Sequence, residues 1–426
     1  MTSQGAAGSL LLGAGIWALA ADIPVANVIW YVPAWYGYLL ILNAVLAPRT
    51  GSSFFIERRR ELVLMLFGSI PFWFFFEACN LRLRNWYYVF ALRNPWASAG
   101  MAVLAFATVL PACLLHAEAL EAMGGFRKAV CPKWSVTPGV LRAVGAGGLL
   151  CAAIPLILPR FTFPLIWLAP IGLEAVNFRS GAPSMLRDLE EGRCDRVLRL
   201  VAGGLWAGLV WELFNSLARC KWIYSVPGFE SLKIFEMPVA GFLGFPVLAL
   251  AAFAYFSFLQ TFFAVGRSRL AVSLLALLFC AAVDAAVERQ TVRSRRPLLE
   301  EISALDAASL KALKKAGIAT PERLARAADR EGLERLAQRV GITRVSLAPA
   351  VAEARLAIHK GMGVPRAQLL EAAGVQSVAD LSLQEPPSLW QRVAALAAGL
   401  GVEAPRLTEV RVWTEAARRR PEEPSR

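Results

Sequence analysis

Two stretches place an acid and an amide at the end of a long apolar run. They are Glu77-Ala78-Cys79-Asn80 and Glu212-Leu213-Phe214-Asn215. Glu and Asn at i and i+3 share one helix face. A charge in mid-membrane costs roughly 2.5–3.5 kcal/mol on insertion scales, so a cost carried twice points to a task. A carboxyl held in hydrocarbon can stay neutral, which suits proton donation to an alkene or polyene, or proton coupling in a transporter. Glu77 and Glu212 are therefore the candidate catalytic acids, with Asn80 and Asn215 as orienting partners. Each pair is followed by aromatic residues, Trp86-Tyr87-Tyr88 and Trp222-Ile223-Tyr224. Trp86, Tyr87, Trp222 and Tyr224 are candidate substrate-binding rings, able to line a groove and stack on an isoprenoid or acyl chain. Glu174 and Glu236 complete the substrate-binding set. The plainer alternative is that the acids pair with Arg82, Arg84 and Arg219, that the amides bond across helices, and that the rings form an interfacial belt.

The elements that must position these groups are membrane helices. Of 426 residues 57% are hydrophobic, concentrated before about residue 288, which predicts an integral membrane domain with a soluble tail. The net charge of +13 sits largely in connecting loops, so it marks the cytoplasmic face and does not by itself argue for nucleic acid. Seven cysteines without a CxxC pair argue against a disulfide scaffold or a zinc site, and only two histidines, His116 and His359, far apart in the chain, exclude a His-rich metal centre and a bis-His haem. His116 with Glu118 and Glu121 reads first as an interfacial solvated group, with a proton-carrying cluster as the alternative. There is no P-loop, GxSxG or HExxH, and no cofactor is expected. The first apolar segment lacks a basic leader and a clear cleavage site, so it is expected to be retained.

Apolar segments occur at about 7–23, 29–47, 62–80, 97–120, 139–159, 162–178, 198–216, 237–263 and 270–287; the first two in each half, parted only by bends at Pro24 and Pro159, read as full spans or as tight, re-entrant hairpins. They fall into similar halves. Pro33 and Trp35 correspond to Pro164 and Trp167, Asn43 to Glu174, Gly51 to Gly181, and the two Glu-x-x-Asn runs to each other, always about 130–136 residues apart. The expected fold is all-α: a polytopic membrane bundle of two parallel four-segment repeats (8–9 transmembrane segments), plus a soluble tandem helix-hairpin-helix domain. The boundaries are 1–127 and 128–269 for the repeats, 270–288 for a final helix, 289–297 for a basic linker, 298–420 for the soluble domain and 421–426 for a disordered tail. Sites in such repeats lie at their interface. Arg58-Arg59-Arg60, Arg127-Lys128, the arginines from Arg187 to Arg199, and Arg267 with Arg269 mark the cytoplasmic loops. Nine spans would then put the tail outside, whereas Arg289, Arg293, Arg295 and Arg296 read as cytoplasmic. The expectation is an inner-membrane protein with a cytoplasmic tail.

The order Trp211-Glu212, Trp222-Ile223-Tyr224, Glu236-Met237-Pro238 resembles lycopene-cyclase-type carotenoid membrane domains over about thirty residues. The resemblance implies cofactor-independent, acid-catalysed chemistry on a polyene. Glu236-Met237-Pro238 departs from the proline–leucine–glutamate–glutamate order of that family.

In the tail, Leu313 to Thr320 followed by Leu324 repeats as Leu370 to Ser377 followed by Leu381. Gly after an Ala/Leu run predicts a helix stop, and Thr320-Pro321-Glu322 predicts a capped helix start. With Trp413, this pattern resembles tandem helix-hairpin-helix domains, including a bacterial family of unknown function, over residues 298–418. In DNA-binding members the hairpin glycines cradle a phosphate. Here the second copy has Gly361 and Gly363, flanked by Lys360 and Arg366, while the first has Ala304-Leu305-Asp306. One glycine hairpin favours a protein partner over nucleic acid. Lys360, Gly361, Gly363 and Arg366 are the partner-binding candidates.

The leading reading is binding of an isoprenoid or other lipid-soluble molecule at the repeat interface, extending to acid-catalysed conversion. The alternative is a non-enzymatic scaffold or transporter whose tail recruits a soluble protein.

Overall fold

The computed structural model describes residues 3–226, 232–265 and 269–419. Arg267 and segment 421–426 lie outside the described residues. The chain is mostly helical and divides into two compact units. The first is Met1–Asn85, Asn94–Ala218 and Ile234–Thr291; the second is Trp86–Arg93, Arg219–Lys233 and Val292–Arg426.

The first unit holds helices α1 (Ser3–Ala20), α2 (Pro24–Ile29), α3 (Tyr31–Thr50), α4 (Arg59–Leu83), α5 (Pro95–Phe106), α6 (Val109–Ala122), α7 (Pro138–Ile157), α8 (Pro159–Thr162), α9 (Glu174–Ser180), α10 (Met185–Glu190), α11 (Asp195–Leu217), α12 (Gly244–Val265) and α13 (Arg269–Gln290). Among the described residues, seven stretches are long and apolar enough to cross a membrane: Tyr31–Thr50, Arg59–Leu83, Pro95–Ala122, Pro138–Ile157, Asp195–Leu217, Val239–Phe263 and Arg269–Gln290. Two expected apolar segments are not among them, 7–23, which falls largely on α1, and 162–178. The second is a 3-10 helix, Phe163–Leu173, that runs into α9. Pro164 and Pro170 each remove a backbone donor there, and the chain tightens instead of continuing as an α-helix.

Close glycine contacts set two helix crossings. A Cβ on Gly8 of α1 would sit 2.7 Å from the Gly37 carbonyl of α3, and one on Gly148 of α7 would sit 2.6 Å from the Gly172 Cα. Two polar clasps then fix the loops that follow. Asn43 donates to Ser53 Oγ at 2.8 Å and accepts from the Phe54 amide at 3.1 Å. Glu174 accepts from Ser184 Oγ at 2.8 Å and from the Leu186 amide at 3.2 Å.

Among the described residues the second unit holds the α-helices α14 (Ala307–Lys315), α15 (Pro321–Glu331), α16 (Leu333–Val340), α17 (Arg344–Ile358), α18 (Val364–Ala372), α19 (Val378–Ser382), α20 (Pro386–Ala397) and α21 (Leu407–Arg419). Thr320 caps α15 through the Arg323 amide, and Gly317 and Gly374 take φ of 78° and 82° just after α14 and α18, as the sequence predicts. Strands β1 (Trp86–Val89) and β2 (Lys221–Tyr224) belong to the same unit and pair antiparallel, Trp86 with Tyr224 and Tyr88 with Trp222. Aromatic and β-branched side chains favour this conformation. The segment expected as a linker runs beside β1, with the Arg293 amide on the Tyr88 carbonyl at 2.8 Å and the Ala91 amide on the Ser294 carbonyl at 3.1 Å. Tyr87, Val89 and Ile223 enter one apolar core with Leu313, Leu347 and Trp413.

Candidate functional site

Glu77 and Asn80 lie on the last turns of α4, and Glu212 and Asn215 on the last turns of α11. All four are fully buried. The Asn80 side chain accepts from the Asn85 amide at 2.8 Å, which fixes the chain as it leaves α4 through Arg84 in the left-handed region, φ 58°. Glu77 receives the indole N–H of Trp73 at 3.0 Å. Trp73 stands one turn before Glu77, the i, i+4 spacing that puts both on one face.

An aromatic shell joins the surroundings of the two acids. The Trp73 ring lies 5.8 Å from Trp211, the residue preceding Glu212. Trp35 stacks on Trp211 at 5.7 Å, and Trp167 stacks on Phe76, the residue preceding Glu77, at 4.6 Å. Phe214 and Trp35 form a T-shaped pair at 5.8 Å, and Phe214 lies 5.3 Å from Trp30. Glu212 is within electrostatic reach of Tyr31. Offset and edge-on rings of this kind add about 0.5–1.5 kcal/mol per pair beyond burial. The shell presents π-faces and two acid–amide pairs inside an apolar bundle. Trp73 is not among the sequence candidates, although its i, i+4 spacing to Glu77 is a signal that could have found it; Trp35 and Trp167 reach the site from distant segments that no local spacing reveals.

The other sequence candidates go elsewhere. Glu174 is taken up in the loop clasp, with Asn177 also donating to it at 3.3 Å. Glu236 is buried in the turn between two short strands, Lys233–Ile234 and Met237–Pro238. Trp86, Tyr87, Trp222 and Tyr224 sit in the β1–β2 ribbon, where the Trp222 indole donates to the Tyr224 hydroxyl at 2.9 Å. His116 and Glu118 point in different directions. His116 binds the Ala112 carbonyl through Nδ1 at 2.7 Å and contacts the Tyr38 hydroxyl through Nε2 at 2.8 Å. A carbonyl only accepts, so Nδ1 carries the proton and, in the neutral ring, Nε2 accepts from Tyr38. Glu118 instead accepts from Arg58 at 2.6 Å.

In the second unit the glycine hairpin is filled from within. Lys360, Gly361 and Gly363 all have positive φ, of 47°, 66° and 80°. A Cβ on Gly361 would lie 2.4 Å from Val89 of β1, and one on Gly363 would lie 3.0 Å from Ser294. The Ser294 hydroxyl donates to the Gly361 carbonyl at 2.5 Å and accepts from the Phe90 amide at 3.0 Å. Arg366 is buried at 7% exposure. Among the described residues no group of three or more His, Cys, Asp or Glu could hold a metal ion.

Residues 304–420 match a family described as a domain of unknown function, DUF4332. No curated protein and no solved structure matches the chain.

Proposed function

We propose that the first unit binds an isoprenoid or other unsaturated lipid-soluble molecule against the aromatic shell, with Glu77 and Glu212 as its polar contacts and, in the enzymatic form of this reading, its proton donors. The observation that carries it is Trp73, which donates to Glu77 and packs on the ring beside Glu212. Buried acids in a membrane bundle are a functional signal by default, and π-faces suit a polyene. The reading treats the bundle as two parallel repeats. Support comes from the exchanged stacking of Trp35 on Trp211 and Trp167 on Phe76, from the matched Gly8–Gly37 and Gly148–Gly172 contacts, and from the matched Asn43 and Glu174 clasps. The test is extraction of the purified protein with organic solvent and chromatography of the lipid released. Glu212→Gln and Glu77→Gln should each lose or alter a co-purifying apolar molecule while Tm stays near wild type. An identical extract from wild type and both variants sinks the proposal.

A second reading, a non-enzymatic scaffold, draws support from the second unit. There the hairpin glycines receive β1 and Ser294, which leaves them poorly suited to cradle a nucleic-acid phosphate and favours a structural or protein-binding role. Deleting residues 298–426 should then abolish the cellular phenotype while Glu212→Gln leaves it intact.

We also infer the side of the C-terminal domain. β1 follows α4, β2 follows α11 and Val292 follows α13, and all three enter one folded unit. The arginine-rich stretches around Arg58-Arg59-Arg60 and Arg193 to Arg199 lie at the other ends of α4 and α11. By the positive-inside rule those ends face the cytoplasm, so the domain faces away from it, in place of the cytoplasmic location that its basic linker suggests. A cysteine introduced at exposed Val345 should react with a membrane-impermeant maleimide in intact spheroplasts. Labelling only after lysis returns the domain to the cytoplasm.

A further inference from the structure

At the ends of α4 and α11 remote from Glu77 and Glu212, the first unit forms a partly open cavity of about 280 Å³. Glu61 and Glu77 are sixteen residues apart on α4, or about 24 Å along the axis, so the two sites are distinct. Four helices wall the cavity: α4, α6, α11 and α12. Buried Met65, Leu114, Leu200 and Phe256 supply apolar lining, and charged side chains supply much of the rest.

The charge is arranged in two opposed sets. Arg196 and Arg199 stand on the first turns of α11, where the helix dipole is positive; Glu118 and Glu121 stand on the last turns of α6, where it is negative. Arg58 is internally satisfied, bound to Glu61 at 2.7 Å and to Glu118 at 2.6 Å. Arg199 donates through Nη1 to Asp195 at 2.7 Å. Its Nη2 faces Glu121 Oε1 at 3.6 Å, beyond hydrogen-bond length. Arg196 pairs through Nε with Asp188 at 2.8 Å and lies over the Phe253 ring at 5.0 Å. A purely anionic guest would meet Glu118 and Glu121, and a purely cationic one would meet the arginines. A guest carrying both charges satisfies both sets.

We propose that this cavity binds a zwitterionic phosphate–ammonium group, with the phosphate on Arg196 and Arg199 and the ammonium on Glu121. Two sources share that chemistry, the headgroup of an aminophospholipid and a free phosphorylated amino alcohol. Basic pockets between membrane helices on the arginine-rich face are suited to lipid headgroups, and the apolar lining accommodates the carbon chain that follows the phosphate.

The test uses the full-length protein in detergent, titrated with phosphatidylethanolamine or phosphatidylglycerol and followed by native mass spectrometry. Phosphoethanolamine, titrated by calorimetry, separates the sources. Its binding would assign a soluble ligand, and binding of the lipid alone would assign the headgroup. Wild type should retain phosphatidylethanolamine in preference to phosphatidylglycerol, which lacks the ammonium. Arg196→Gln should weaken both lipids about tenfold, as expected for losing a charge-assisted contact. Glu121→Gln should erase the preference without weakening phosphatidylglycerol. Both side chains are partly exposed, and thermal unfolding checks that the variants fold. Equal retention of the two lipids by wild type, with no binding of phosphoethanolamine, overturns the proposal whatever the variants do.

Discussion

Gly361→Ala separates backbone strain from packing in the second unit. Gly361 has φ of 66°, a conformation that costs an L-residue about 1–2 kcal/mol. Its new Cβ would also lie 2.4 Å from Val89 Cβ and Cγ2, and overpacking of that kind costs about 1–3 kcal/mol. The expected loss is therefore about 2–5 kcal/mol when the two are summed. Gly374 provides the control. Its φ is 82° and nothing lies within 4 Å of an added Cβ, so Gly374→Ala should carry only the backbone cost. Adding Val89→Gly to Gly361→Ala should relieve the clash and make the pair non-additive by about 1–3 kcal/mol. The assay is denaturant unfolding of the detergent-solubilised protein, read by hydrogen exchange in β1 and α18. If Gly361→Ala and Gly374→Ala cost the same and the double mutant is additive, β1 does not bear on the hairpin and the reasoning fails.

Two further outcomes follow from the second unit. Arg293 and Glu409 form a buried two-point ion pair, at 2.5 Å and 3.2 Å, which ties the start of the domain to α21. Arg293 also pairs with Glu403, so Glu409→Gln leaves the guanidinium with one carboxylate and should cost about 1–3 kcal/mol, whereas an apolar replacement of both Arg293 and Glu409 should recover much of that; comparable losses from the single and double variants would contradict it. On α18, burial first and then the Glu353 carboxylate push the Glu371 carboxyl up from 4.5 to about 7. The folded value exceeds the unfolded one, so this group's contribution to stability is full below about pH 4.5 and is lost as pH rises through about 7. Glu371→Gln should flatten that part of the stability–pH curve, and an unchanged curve would show that Glu371 titrates normally.

Local patterns in the sequence carried a good part of this structure. Runs of apolar side chains announced α4, α6, α11 and α12, because a helix that satisfies its own backbone is the economical way to keep peptide groups in hydrocarbon. Thr320 before Pro321, and Gly317 and Gly374 after their helices, announced the starts and stops in the C-terminal domain, since capping depends only on neighbours along the chain. Spacing also put Glu77 with Asn80, and Glu212 with Asn215, on common faces. Contacts between segments far apart in the chain were not legible. Trp86 and Trp222 look like interfacial rings by composition, yet β1 and β2 pair 136 residues apart, and a strand's hydrogen-bond partner leaves no mark in its own residues. Gly361 looks like a phosphate cradle until Val89 is found against it. Hydropathy leaves the segment at 162–178 open between a full span and a tight hairpin, and its two prolines decide against a continuous α-helix by the backbone bonds they remove. The sequence alone determined which stretches are helical and apolar, and where acids interrupt them. Only the tertiary structure decided which aromatic ring meets which acid, and that three segments leaving the membrane unit share one fold, because those choices rest on shape and pairing between segments distant in the chain.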